Sequence, residues 1–193
     1  MHMRIIPQYI IPMLLWFALT FLFQLLFRYK QIRDRYILCS IIFISYLISV
    51  CSITVFPSIE FGIWNDTGQP YLDIQFRRTE LRSLNLVPFK TILSQLTGNI
   101  PELGEADRSY VGLINLLGNF FLFLPVGFLL PLTREQYKRL SSVLMFSILF
   151  SCIIEVIQYS IGRSVDIDDV ILYSIGTIIG YGLWAITRRF AKS

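Results

Sequence analysis

The sequence predicts an all-α integral membrane protein of five transmembrane helices, with its amino terminus outside and its carboxy terminus inside. Three observations carry this expectation. The mean hydropathy is +0.61, with 54% hydrophobic and only 16% charged residues, whereas soluble domains carry about 25% charged residues. Five apolar runs, at 5–27, 36–56, 112–132, 141–161 and 169–187, each approach the roughly 20 residues that a 30 Å hydrocarbon core requires. Ten of the 17 lysines and arginines gather on one side of these runs: Arg28, Lys30, Arg33 and Arg35 after the first, Arg134, Lys138 and Arg139 after the third, Arg188, Arg189 and Lys192 after the fifth. That side is expected to be cytoplasmic.

Composition also narrows the function classes. The formal charge of +4 sits in basic clusters beside apolar runs, where topology accounts for it, so nucleic-acid binding is not expected. Cys39, Cys51 and Cys152 lie inside apolar runs without a paired spacing, the pattern of buried, inert thiols. His2 is the sole histidine, which removes histidine zinc sites and Ser/His/Asp or Cys/His catalysis.

Taken in order, the first run is too long for a signal peptide and has no small-x-small cleavage site after it. Between the second and third runs lies an external segment, 57–111. Its residues 59–64 and 71–76 flank a turn cluster from Asn65 to Pro70 and predict a hairpin. Phe89, Ile92, Leu93 and Leu96 recur at helical spacing and predict a short helix lying in the membrane interface. The stretch 97–107, with Gly98, Pro101 and Gly104, predicts a loop. In the third run Pro125 removes a backbone hydrogen bond. In the fifth, Gly176 and Gly180 form a small-xxx-small face for close helix packing. The whole, 1–193, reads as one membrane domain.

The polar residues inside these runs converge in depth. Glu155 lies roughly 9 Å below Ile161 and Gln158 roughly 4–5 Å below it, on a helix rising 1.5 Å per residue. The third span runs the opposite way, which places Asn115 and Asn119 roughly 4–11 Å below Gly112. Each pair shares a helix face. Arg163, Asp166, Asp168 and Asp169 follow in the external turn and at the start of the fifth span, where Asp168 or Asp169 is suited to cap that helix. Charges at such positions are costly unless paired or put to use. The expected result is a polar notch opening outward among the third, fourth and fifth spans. Its carboxylates lack a calcium- or magnesium-loop spacing, so no metal is expected, and no cofactor either.

Four pieces of the chain resemble the VanZ-like family, named for a protein associated with teicoplanin resistance. They are Thr54 to Pro57; Asn85 to Phe89; Asn115 to Asn119 with Phe123, Leu124, Pro125, Val126, Gly127 and Pro131; and Glu155 to Gln158 with Arg163, Asp166, Asp169, Gly176 and Gly180. One position departs from the family pattern: Tyr173 stands where an asparagine is usual. The resemblance implies a multi-pass protein of the bacterial cytoplasmic membrane whose relatives lower susceptibility to glycopeptides, lipidated ones above all.

The resulting expectation is a protein that binds, or alters access to, an amphiphile of the outer leaflet. Membrane lipids, a lipid-linked cell-wall precursor and a lipoglycopeptide are its expected partners. Asn85, Asn115, Asn119, Glu155, Gln158, Arg163, Asp166 and Asp169 are the candidate ligand-binding residues. Two other readings stay open. One is a membrane enzyme with Glu155 as general base on a lipid or wall-linked substrate. The other is a scaffold whose polar groups lock the bundle.

Overall fold

The computed structural model describes residues 5–28, 34–55, 58–63, 69–75, 84–97 and 105–191. Each of the five apolar runs forms a helix there. The first, α1 (Ile5–Arg28), is followed by α2 (Arg35–Thr54), which starts where Asp34 accepts a hydrogen bond from the Tyr36 amide at 2.9 Å. Strands β1 (Ser58–Ile63) and β2 (Pro70–Gln75) then pair antiparallel, with Ser58 opposite Gln75 and Ile63 opposite Pro70. The tip of the expected hairpin, 64–68, lies outside the described residues.

A two-residue strand β3 (Leu84–Asn85) leads into α3 (Lys90–Leu96), where the short interfacial helix was expected. The long helix α4 (Glu105–Thr133) begins two turns earlier than the apolar run and continues through Pro125 and Pro131. The expected loop therefore ends by Gly104. The breakers Gly98, Pro101 and Gly104 that suggested a loop all precede α4, so none of them opposes helix from 105 onward. A 3-10 turn (Glu135–Lys138) joins α4 to α5 (Leu140–Ser160), and β4 (Val165–Asp166) passes into α6 (Ile167–Phe190).

Four of these helices are long and apolar enough to cross a membrane: α2, α4 from Leu113, α5 and α6. They match the second to fifth expected spans. In α1 the apolar stretch with described side chains, Met13–Leu26, is shorter than a span. Large apolar side chains such as Leu19, Phe121, Met145, Ile153 and Ile186 point outward, as they do where the surrounding solvent is lipid.

Because lipid is as apolar as leucine, close packing and buried hydrogen bonds must hold such a bundle together. Small residues bring α4 and α6 into backbone contact. A Cβ added at Gly180 would stand 2.0 Å from the Leu124 carbonyl oxygen, one at Gly176 2.2 Å from that of Phe120, and one at Gly127 2.0 Å from that of Thr177. Around this seam Phe123 stacks on Tyr173 with ring centroids 4.2 Å apart, and Phe43, Val50, Val126, Leu130, Val143 and Ile154 complete the core. Hydroxyls pin it: Ser147 and Thr177 lie 2.7 Å apart, and Tyr46 donates to the Leu122 carbonyl at 2.6 Å. Gln24 of α1 donates to Ser45 of α2 at 3.0 Å.

A candidate polar site at one end of the bundle

The site begins with the way α5 stops. Gly162 takes a φ of 93°, which glycine alone adopts freely. Its amide donates to the Tyr159 carbonyl at 3.1 Å and the Arg163 amide to the Gln158 carbonyl at 2.9 Å. This pair of bonds is a Schellman cap, and it reverses the chain within three residues. Reversal swings Arg163 back toward α2, where its guanidinium donates to the Thr54 carbonyl at 2.6 Å. Gln158, one turn below, donates to the same carbonyl at 2.9 Å. Two donors, one of them cationic, thus occupy an oxygen at the negative end of α2 that its own helix leaves open.

After the cap the chain runs extended, and β4 pairs in parallel with β3, Val165 beside Leu84 and Asp166 beside Asn85. Here three acids take different tasks. Asp166 caps α6 by accepting the Asp168 amide at 3.0 Å, and the same oxygen receives the Asn85 amide group at 3.0 Å. Asp169 receives Asn119 of α4 at 2.5 Å. Asp168 turns away from its own helix and is 1% exposed. Its carboxylate accepts the backbone amides of Phe89, Thr91 and Ile92 at 2.5, 2.8 and 3.0 Å.

The expected α6 cap at Asp168 or Asp169 is therefore corrected, and the reason lies in α3. Phe89 occupies the capping position of α3 in left-handed backbone conformation, with a φ of 65° and no side-chain acceptor to offer. The first amides of α3 need an oxygen from elsewhere, and Asp168 supplies both of its own. Asn85 completes the clasp by donating to the Thr91 hydroxyl at 3.0 Å while accepting the Val87 amide at 3.3 Å.

Glu155 lies beneath this clasp and is 5% exposed. Its Oε2 accepts the Asp166 amide at 3.1 Å. Its Oε1 is the buried side-chain polar atom without a hydrogen-bond partner among the described residues. Asp169, Asp166 and Arg163 all lie within electrostatic reach of it, so acids outnumber the guanidinium around this open acceptor. Among the described residues no three His, Cys, Asp or Glu converge as metal ligands.

Of the residues singled out from sequence, Asn85, Asn119, Glu155, Gln158, Arg163, Asp166 and Asp169 are brought together. Asn115 is not: it is exposed, one turn or about 6 Å along α4 from Asn119, and no hydrogen bond ties it to the cluster. Sequence reasoning left out one participant, Thr54, and gave another, Asp168, the wrong helix to cap. Thr54 takes part through its carbonyl, which has no side-chain signature. The task of Asp168 could have been found by noting that α3 has no capping residue of its own.

A model of the VanZ/LLP1 family matches residues 43–188. The chain belongs to that family. The match contains every residue of the polar cluster and leaves out α1. No curated protein and no solved structure matches the chain. Within this VanZ-family member, Tyr173 sits one turn below Asp169 and is 2% exposed, stacked on Phe123. A buried aromatic ring thus lies beside the acidic cluster, at the position read from the sequence as departing from the family pattern.

Proposed function

We propose that this VanZ-family protein works at the outer face of the bacterial cytoplasmic membrane. There it holds, or alters access to, an amphiphile whose head group is rich in hydrogen-bond donors. Lipid-linked cell-wall precursors and lipidated glycopeptides are the class in view.

The observation that carries this reading is the open Oε1 of Glu155. A buried acceptor without a partner costs about 1–3 kcal/mol, and a ligand O–H or N–H removes that cost. The surrounding charge favours such a donor: with Glu155, Asp166 and Asp169 set against Arg163, sugar hydroxyls or an ammonium suit the cluster better than a bare phosphate. The apolar half of an amphiphile also has a place to lie. Leu86, Val87, Phe89, Leu93 and Leu96 are all exposed along the segment that Asp168 clasps, which suits a segment seated among head groups.

Expression in a susceptible Gram-positive host tests the reading through teicoplanin susceptibility. Wild-type protein should change it, and Glu155→Gln or Arg163→Ala at matched protein level should restore the parent value. Equal susceptibility in all three strains would contradict the proposal. One observation also favours an enzyme: the same open oxygen is placed to accept a proton as a general base. Incubation of purified protein with envelope lipids, followed by mass spectrometry, separates the two, since a binder leaves the lipids intact.

A further inference from the structure

At the opposite end of the bundle from the acidic cluster, the start of α2, the end of α4, the 3-10 turn and the last turn of α6 enclose a cleft of about 330 Å³. That is within the size range of small-molecule sites. Three cations line it: Arg35, Lys138 and Arg188. Two of them are held over aromatic rings, with the Arg35 guanidinium 5.3 Å from the centroid of Tyr36 and that of Arg188 5.4 Å from the centroid of Trp184. Neither has a carboxylate within ion-pair distance among the described residues.

Glu135 lies within electrostatic reach of Arg188 but forms no ion pair with either arginine among the described residues. Glu135 is taken up by Lys138 and by the Tyr36 hydroxyl, and these two bonds, Lys138 first, hold its carboxyl below the usual range. Arg35 and Arg188 are therefore oriented and exposed at one mouth, without an ion-paired carboxylate among the described residues.

A second cavity of about 540 Å³ adjoins the first and shares Tyr36 with it. One wall is formed by Ile37, Phe43, Ile44, Leu130 and Phe146, the other carries Ser40, Thr133, Arg134 and Glu135, and Ile44 is 40% exposed on the outside of the bundle. A cationic cleft thus meets, at a tyrosine, a larger cavity with one apolar wall.

We propose that this cleft is a binding site for a phosphate group carried by a membrane lipid, with the phosphate between Arg35 and Arg188 and an acyl chain along Ile37, Ile44 and Phe146. Guanidinium groups suit phosphate because their forked donors match its oxygens. The apolar wall of Ile37, Ile44 and Phe146 favours a lipid over a free anion, since a free phosphate gains nothing from it. The site is separate from the acidic cluster in place and in charge. Arg35 lies outside the stretch that matches the family, while Lys138 and Arg188 lie within it.

The test uses the full chain in zwitterionic detergent micelles, where no anionic surface attracts basic residues in general. Phosphatidylglycerol and phosphatidylcholine are titrated separately and bound lipid is counted by native mass spectrometry, with melting temperature measured in parallel. Wild-type protein should prefer phosphatidylglycerol. In an Arg35→Gln, Arg188→Gln variant that binding should weaken about thirtyfold, without a change in melting. An Arg139→Gln, Arg189→Gln variant removes the same charge from exposed positions outside the cleft and should stay within about threefold of wild type. Equal weakening in both variants, or no preference between the lipids, would overturn the proposal. So would inorganic phosphate or glycerol 3-phosphate binding as tightly as the lipid with the same dependence on Arg35 and Arg188, because the ligand would then be a free anion.

Discussion

Among single residues, Asp168 and Glu155 make opposite predictions. Asp168 holds three backbone amides from a segment more than 70 positions away in the chain. Bonds to a charged acceptor contribute about 1.5–3 kcal/mol, so Asp168→Ala should cut the hydrogen-exchange protection of the Thr91 and Ile92 amides roughly a hundredfold while the spanning helices keep theirs. Unchanged exchange there would mean that the clasp is not what orders α3. Glu155→Gln keeps an oxygen for the Asp166 amide and alters an atom that has no hydrogen-bond partner among the described residues. Its melting in detergent should therefore stay within about 1 kcal/mol of wild type, whereas a scaffold role for Glu155 predicts a large loss. The contrast also marks what residues reveal in advance. Glu155, Gln158 and Asp169 stood out because polar groups in apolar runs are conspicuous, and Arg163 because it stands in the short turn between two such runs. The partners of Asp168 and Arg163 were hidden because they are backbone amides and a carbonyl, which every residue carries.

Among the elements, the seam between α4 and α6 and the cap of α5 carry the argument. Gly180 and Gly182 differ by two positions and by everything around them: a Cβ at Gly180 collides with a backbone carbonyl, while one at Gly182 meets nothing within 4 Å. Gly180→Ala should lower stability by about 1–3 kcal/mol or more. Gly182→Ala should be neutral or raise it by about 0.5–1 kcal/mol through helix propensity. Thermal unfolding of the two variants side by side checks both signs. At the end of α5, Gly162→Ala forces a side chain into left-handed backbone and should cost about 1–2 kcal/mol, while displacing the Arg163 that follows it. The helices and the Gly176 and Gly180 contact were legible because apolar length and small-residue spacing are local signals. The pairing of β3 with β4 was not, since two residues are too short to show a period. Asn115 shows the limit of periodicity: helical spacing gave the angle it shares with Asn119, but only packing decides where along α4 the neighbours close.

For the molecule as a whole, the arrangement is a bundle with two unlike ends. One end collects buried acids under a clasped, apolar-faced segment, and the other collects arginines and lysines around aromatic rings. The uneven placement of basic residues predicts which way such a bundle sits. With the three native cysteines replaced, Ser164→Cys should react with a membrane-impermeant maleimide added to intact cells, and protection there together with labelling at Arg139→Cys would reverse the orientation. The most direct test of the central claim, that the acidic cluster receives a donor-rich amphiphile at Glu155, is native mass spectrometry of wild-type and Glu155→Gln protein purified in parallel from the same envelope. The account predicts an envelope amphiphile retained by the wild type and lost from a variant that melts at the same temperature. The same amphiphile carried equally by both proteins would contradict it.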